Sequence, residues 1–120
     1  MSDAALRFVG IANGRYAALP ALTRAGPDTS DLAALLRDRH GGTVQVLADL
    51  TRGALLDAID EHLASGSAAG ASLIVSWTGH GRIGADGTLR LVATNGREDV
   101  DIAAAGQLGE WAARTGARQV

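Results

Sequence analysis

Cysteine is absent from the 120 residues. That excludes disulfides, a thiolate metal site and any thiol nucleophile within this chain. Aromatic residues make up only 3% of the sequence and the formal net charge is −2. No basic stripe with interleaved aromatics is visible, so a nucleic-acid surface is not expected, and neither is an electrostatic membrane surface. No apolar run approaches the roughly 18 residues that span a bilayer. The opening Met1-Ser2-Asp3-Ala4 lacks the charged and apolar regions of a signal peptide, so a cytoplasmic location is the default expectation. What remains is 47% hydrophobic and 20% charged, ordinary for one globular domain with one modest core.

The most informative stretch is Ser72-Leu-Ile-Val-Ser-Trp-Thr-Gly-His-Gly81, an apolar run that stops at a glycine-flanked histidine. Its length and bounding predict a core strand, with His80 where the chain must turn out of the sheet. In a parallel α/β sheet the carboxyl ends of the strands are where ligands and chemistry collect. A histidine there can act as a general base near neutral pH.

The rest of the chain supplies the sheet. Leu6–Ala12 reads as a central strand, and Asn13–Asp28, with Gly14, Pro20, Gly26 and Pro27, as a long loop. Asp28, Thr29 or Ser30 can cap a helix whose buried stripe is Leu32, Leu35 and Leu36 and which Gly41-Gly42 ends. Thr43–Ala48 is a second strand. Thr51 caps a second helix with Leu55, Leu56, Ile59 and Leu63 inward and Asp57, Asp60 and Glu61 on its wet side.

The order β-α-β-α-β predicts a parallel sheet. After His80 the rhythm changes. Asp86-Gly87 signals a hairpin into a half-exposed strand, Thr88–Ala93, and Asn95-Gly96 a further turn. A last helix is expected from about Asp101 to Arg114, with Leu108 and Trp111 inward and Gly116 closing it. The same rhythm calls for another strand beginning near Arg118-Gln119-Val120.

Gly79-His80-Gly81-Arg82-Ile83-Gly84 is a literal G-x-G-x-x-G after a strand, with Asp101 downstream. A dinucleotide site also needs a helix to begin at those glycines, and Ala85-Asp86-Gly87-Thr88 leads into a hairpin instead. Ser76 and Thr78 stand near His80 but lack a nucleophile-elbow context, so strand and turn roles suffice for them. With His40 and His62 far from His80, the three histidines show no metal-ligand spacing. No cofactor is implied. Trp77 and Trp111 read as core or pocket-wall residues.

A different constellation stands out. Trp77-Thr78-Gly79-His80-Gly81 combines with Val9-Gly10-Ile11-Ala12-Asn13-Gly14-Arg15-Tyr16, with Leu19-Pro20-Ala21-Leu22, with Asp28 and its Leu-rich helix, and with Asp49-Leu50-Thr51-Arg52-Gly53-Ala54-Leu55-Leu56. Together these resemble the N-terminal half of the caspase-like cysteine peptidases, the branch that includes metacaspases and bacterial caspase homologues.

The resemblance implies a three-layer α/β sandwich: a mostly parallel sheet, helices on both faces, and a small hairpin after His80. It makes residues 1–120 the N-terminal portion of one catalytic domain, cut before the strand that bears the nucleophile. It implies hydrolysis of peptide or protein substrates by a Cys–His dyad, with His80 as the catalytic histidine and Gly81 as a backbone donor to the oxyanion hole.

The family's cysteine lies about 50 residues after the histidine, which falls roughly ten residues past Val120, so the remainder of the domain is an expected partner and the chain alone is expected to be inactive. In members that select aspartate at P1, an arginine from the first long loop lines the pocket, which draws attention to Arg15 and Arg24. Metacaspase relatives instead prefer basic P1 residues and use acidic pocket groups, and a solvated arginine also accounts for both residues. Two other readings stay open: a caspase-like scaffold without catalysis, and a nucleotide-binding α/β domain.

Overall fold

The computed structural model describes residues 5–63, 69–85, 87, 89–94 and 105–117. Five of its elements follow the predicted rhythm: β1 (Leu6–Ala12), α1 (Ala25–His40), β2 (Thr43–Ala48), α2 (Arg52–His62) and β3 (Ser72–Thr78). The strands form one parallel sheet in the order β2-β1-β3. β1 is central, and its near-continuous apolar run is what a strand covered on both faces requires. Because all three strands run the same way, Ala12, Ala48 and Thr78 lie side by side at one edge. The loops that follow each strand therefore emerge together.

Alternation along β1 sorts the layers. Val9 and Ile11 join Leu73 of β3 and Leu55, Ile59 and Leu63 at α2 in one buried cluster. Phe8, Gly10 and Ala12 point to the other face, where α1 lies. The result is the expected sandwich, with helices on both faces of a parallel sheet.

α1 differs from its prediction in two ways. It begins at Ala25, and the residue before it, Arg24, makes no side-chain capping bond. Pro27 is tolerated in the first turn because its missing N–H would have no intrahelical partner there. Asp28 instead accepts a hydrogen bond from Arg24 at 2.7 Å.

The buried stripe is also shifted. Leu32 and Leu35 are 39% and 49% exposed, and the buried residues are Ala25, Thr29 and Ala33. The reason lies on β1. A Cβ on Gly10 would stand 2.6 Å from the Thr29 methyl, so the helix rides close to the sheet. Only small side chains fit that gap.

The remaining ends follow local rules. Gly41 takes a left-handed conformation (φ 63°) and donates its N–H to Arg37 O, closing α1. Thr51 Oγ1 accepts from Ala54 N at 3.3 Å and caps α2 as expected. At the far end of α2, Arg7 donates to the His62 carbonyl.

After β3 come a hairpin, β4 (Gly81–Ile83) and β5 (Leu89–Leu91), and a helix, α3 (Ala105–Ala113). β5 is shorter than the expected 88–93, although Val92 and Ala93 are buried. In α3, Ala112 is fully buried and Trp111, like Trp77 of β3, packs against the core cluster. Gly116 (φ 76°) follows the helix. Asp86, the Asn95-Gly96 turn, Asp101, the Leu108 side chain and the segment from Arg118 lie outside the described residues. Among those described, no helix is long and apolar enough to cross a membrane.

Candidate active site

The site is assembled where the three strand ends meet. Thr78 O accepts from Asn13 N at 2.8 Å, so the end of β3 is tied to the start of the long loop after β1. Asn13 is completely buried. Its Nδ2 donates to Leu50 O at 3.2 Å and its Oδ1 accepts from Leu50 N at 2.9 Å. The side-chain amide thus acts like one more residue of the β1–β2 ladder.

Asp49 completes this corner. Its Oδ1 accepts from Gly14 N at 3.0 Å and Arg15 N at 2.9 Å. The bonds from Arg15 and then Gly14 hold the carboxyl below the ordinary aspartate range. Asp49 itself is left-handed (φ 54°), a conformation aspartate tolerates better than most residues.

Beyond β3 the chain passes Gly79, where a Cβ would stand 2.6 Å from Tyr16 Oη and 2.9 Å from the Trp77 ring. Only glycine leaves room for that hydroxyl. His80 N donates to Tyr16 Oη at 2.9 Å, and the same hydroxyl donates to Val92 O at 3.0 Å. Val92 N donates to His80 O at 3.1 Å. The Tyr16 ring meets the imidazole edge to face, with centroids 4.5 Å apart and planes at 73°. Burial raises the Tyr16 phenol above its ordinary range, against the lowering effect of the His80 N–H, so the hydroxyl keeps the proton it donates.

The half-buried imidazole has one further partner. Its Nε2 lies 2.7 Å from Pro20 O. A carbonyl can only accept, so this bond places the proton of the neutral ring on Nε2. Nδ1 then carries the lone pair, which is the state a general base needs.

Gly81 is the next residue, exposed at the start of β4. Antiparallel pairs alternate between bonded and non-bonded positions. Since Val92 N bonds His80 O, the Gly81–Leu91 pair falls at a non-bonded position. The Gly81 N–H therefore points away from β5. No helix begins at these glycines, and the strand in its place removes the N-terminus a dinucleotide would need.

The two loop arginines are not brought together. Arg15 is exposed beside a cleft of about 370 Å³ that reaches Asp49, Ala48 and Pro27. Arg24 pairs with Asp28 beside a second cleft of about 380 Å³, which Thr78 and Leu22 also line. Thr78 Oγ1 accepts from Thr29 Oγ1 at 3.3 Å, which turns it toward α1. No cluster of three metal-ligating side chains occurs among the described residues.

Sequence reading singled out His80 and its glycines, whereas Asn13, Tyr16, Pro20 and Asp49 stood within the quoted family elements with no role assigned to them. Tyr16 is the chain's single tyrosine and stands in the long loop after β1.

No curated protein matches the chain. A family model for the caspase domain, peptidase family C14, matches residues 9–99. That span runs from β1 through β5 and includes every residue of the corner around His80. The chain belongs to the caspase-domain family.

Proposed function

We propose that this chain carries the histidine half of a cysteine endopeptidase site. The observation that supports it best is the Nε2–Pro20 O contact, which leaves Nδ1 free to take a proton. In the proposed reaction Nδ1 removes the thiol proton and the thiolate adds to the scissile carbonyl carbon. The tetrahedral intermediate then collapses, the C–N bond breaks, and the imidazolium returns the proton to the departing amine. Water, deprotonated by the same imidazole, hydrolyses the thioester and regenerates the thiol.

Gly81 N–H would be one oxyanion donor, since its ladder position turns it out of the hairpin. The second donor and the thiol must come from polypeptide outside these 120 residues, which contain no cysteine. The family's spacing puts that cysteine about 50 residues after His80. Substrate selection by Arg15 or Arg24 has weaker support, because Arg24 is already paired with Asp28.

Reading the coding sequence onward and expressing the longer polypeptide tests the proposal. A cysteine at the expected spacing, with peptide cleavage abolished by either Cys→Ala or His80→Ala, supports it. Retained cleavage in His80→Ala refutes it. A second reading is a caspase-like scaffold without catalysis. A stop codon or a substituted cysteine at that spacing would establish it.

A further inference from the structure

The Tyr16 hydroxyl occupies an unusual place. His80 and Val92 face each other where an antiparallel ladder would exchange two backbone bonds. One is present, from Val92 N to His80 O. The other is replaced by a relay, in which His80 N–H donates to Tyr16 Oη and that hydroxyl donates to Val92 O. A phenol oxygen has been inserted into the ladder, and Gly79 is the residue that makes room for it. The ring of the same tyrosine lies against the imidazole.

We propose that Tyr16 is the positioning residue of His80: its hydroxyl holds the backbone at the end of β3, and its ring holds the imidazole against Pro20 O. The role deepens the peptidase reading and matters to catalysis only if that reading holds. The geometry itself does not depend on it.

The reasoning is local. His80 is fixed by an acceptor for its backbone N–H, a ring against its imidazole and one Nε2 bond. Tyr16 supplies the first two. Without the hydroxyl, His80 N–H and Val92 O lose their shared partner, and the shortest remedy is for the strands to close into a direct ladder bond. That movement carries His80 away from the long loop, where Pro20 stands. The Nε2 proton then loses its acceptor, and the preference for one tautomer goes with it.

The test follows the ring nitrogens of His80 by long-range ¹H–¹⁵N NMR on the whole chain, near pH 8, without substrate. The wild type should show a single Nε2–H tautomer. Tyr16→Phe should show averaged signals from both tautomers while its amide dispersion remains native-like. Gly79→Ala should do the same, because its Cβ displaces the hydroxyl while the tyrosine remains.

If either variant fails to fold, the single tyrosine offers a volume-conserving alternative. Growth on difluorotyrosine labels Tyr16 alone and makes the phenol ionise at lower pH. A phenolate cannot donate to Val92 O, so the His80 signals should shift in step with the phenol titration. An unchanged Nε2–H tautomer in folded Tyr16→Phe, or His80 signals that ignore the phenol titration, would overturn the proposal. Neither readout uses peptide cleavage, so a failure of the peptidase reading remains distinguishable from a failure of this one.

Discussion

Replacing Asn13 with aspartate should make stability depend on pH in a direction set by where that side chain lies. Asn13 is 0% exposed, and its amide both donates to and accepts from Leu50. A protonated aspartic acid can reproduce that pattern, because its O–H donates to Leu50 O while the other oxygen accepts from Leu50 N. An ionised one cannot. It sets a negative oxygen against the Leu50 carbonyl at about the present 3.2 Å, inside the core. The folded state therefore holds the new proton longer than the unfolded chain does.

Stability of the variant should be greatest below the ordinary aspartate range. It should then fall from about pH 4 upward until the folded-state group has also ionised. Burial of this kind shifts carboxyls by up to several units, each worth 1.36 kcal/mol, so a loss of about 3–4 kcal/mol by pH 8 is expected. That is a large part of the roughly 5–15 kcal/mol that holds a domain together. Asn13→Ala provides the contrast: an unsatisfied Leu50 N–H costs about 1–3 kcal/mol with no comparable pH slope. Urea denaturation followed by fluorescence of Trp77 and Trp111 at pH 5 and pH 8 separates the two. Equal losses for Asn13→Asp at both pH values would refute the placement of this amide.

Two further outcomes follow from the same corner and the face behind it. Gly10→Ala should cost about 1–3 kcal/mol in urea denaturation, because its Cβ meets the Thr29 methyl at 2.6 Å and the Phe8 ring at 2.8 Å. Adding Thr29→Ser, which removes the methyl but keeps the hydroxyl that reaches Thr78, should recover part of that loss; strict additivity would count against the tight contact. Asp49, whose folded-state carboxyl is held low by Arg15 and Gly14 N–H, contributes stability above the ordinary aspartate range that is lost as pH falls through the depressed folded value. Asp49→Asn should therefore flatten the acid limb of the stability profile. The effect should stay below about 1 kcal/mol because solvent screens so exposed a group, and an unaltered acid limb would show that these bonds do not form.

The sheet was legible because its determinants are local. Leu6–Ala12 and Thr43–Ala48 are short apolar or alternating runs bounded by loop residues, and each is a strand with those bounds, while the run that opens at Ser72 is a strand as far as Thr78, just short of His80. α2 was equally plain, since Thr51 caps it and Leu55, Ile59 and Leu63 recur on one face. α1 was misread for a reason outside its own sequence. Its leucines suggest a buried stripe, but the helix has to fit Gly10 on a neighbouring strand, and a glycine there selects Ala25, Thr29 and Ala33. Hydrophobicity identified the helix; the space available on the sheet decided which way it faced.

The same division explains the site. His80 announces itself because a strand end and two glycines are adjacent in sequence. What orients it is not adjacent. Tyr16 is 64 residues away, and Pro20 contributes a main-chain carbonyl that any residue type would also carry. No side-chain pattern encodes that second contact, so it follows only from where the long loop returns to the sheet. Its return is fixed by further long-range bonds: Asp49 to Gly14 and Arg15, and Thr94 O to Ala17 N. A histidine at a strand end is thus a common accident of sequence. A histidine with its Nε2 proton committed to a carbonyl, and its backbone stitched through a phenol, has an Nδ1 lone pair in a set direction. It is that direction, rather than the residue's identity, that makes proton transfer at this corner a chemical proposal.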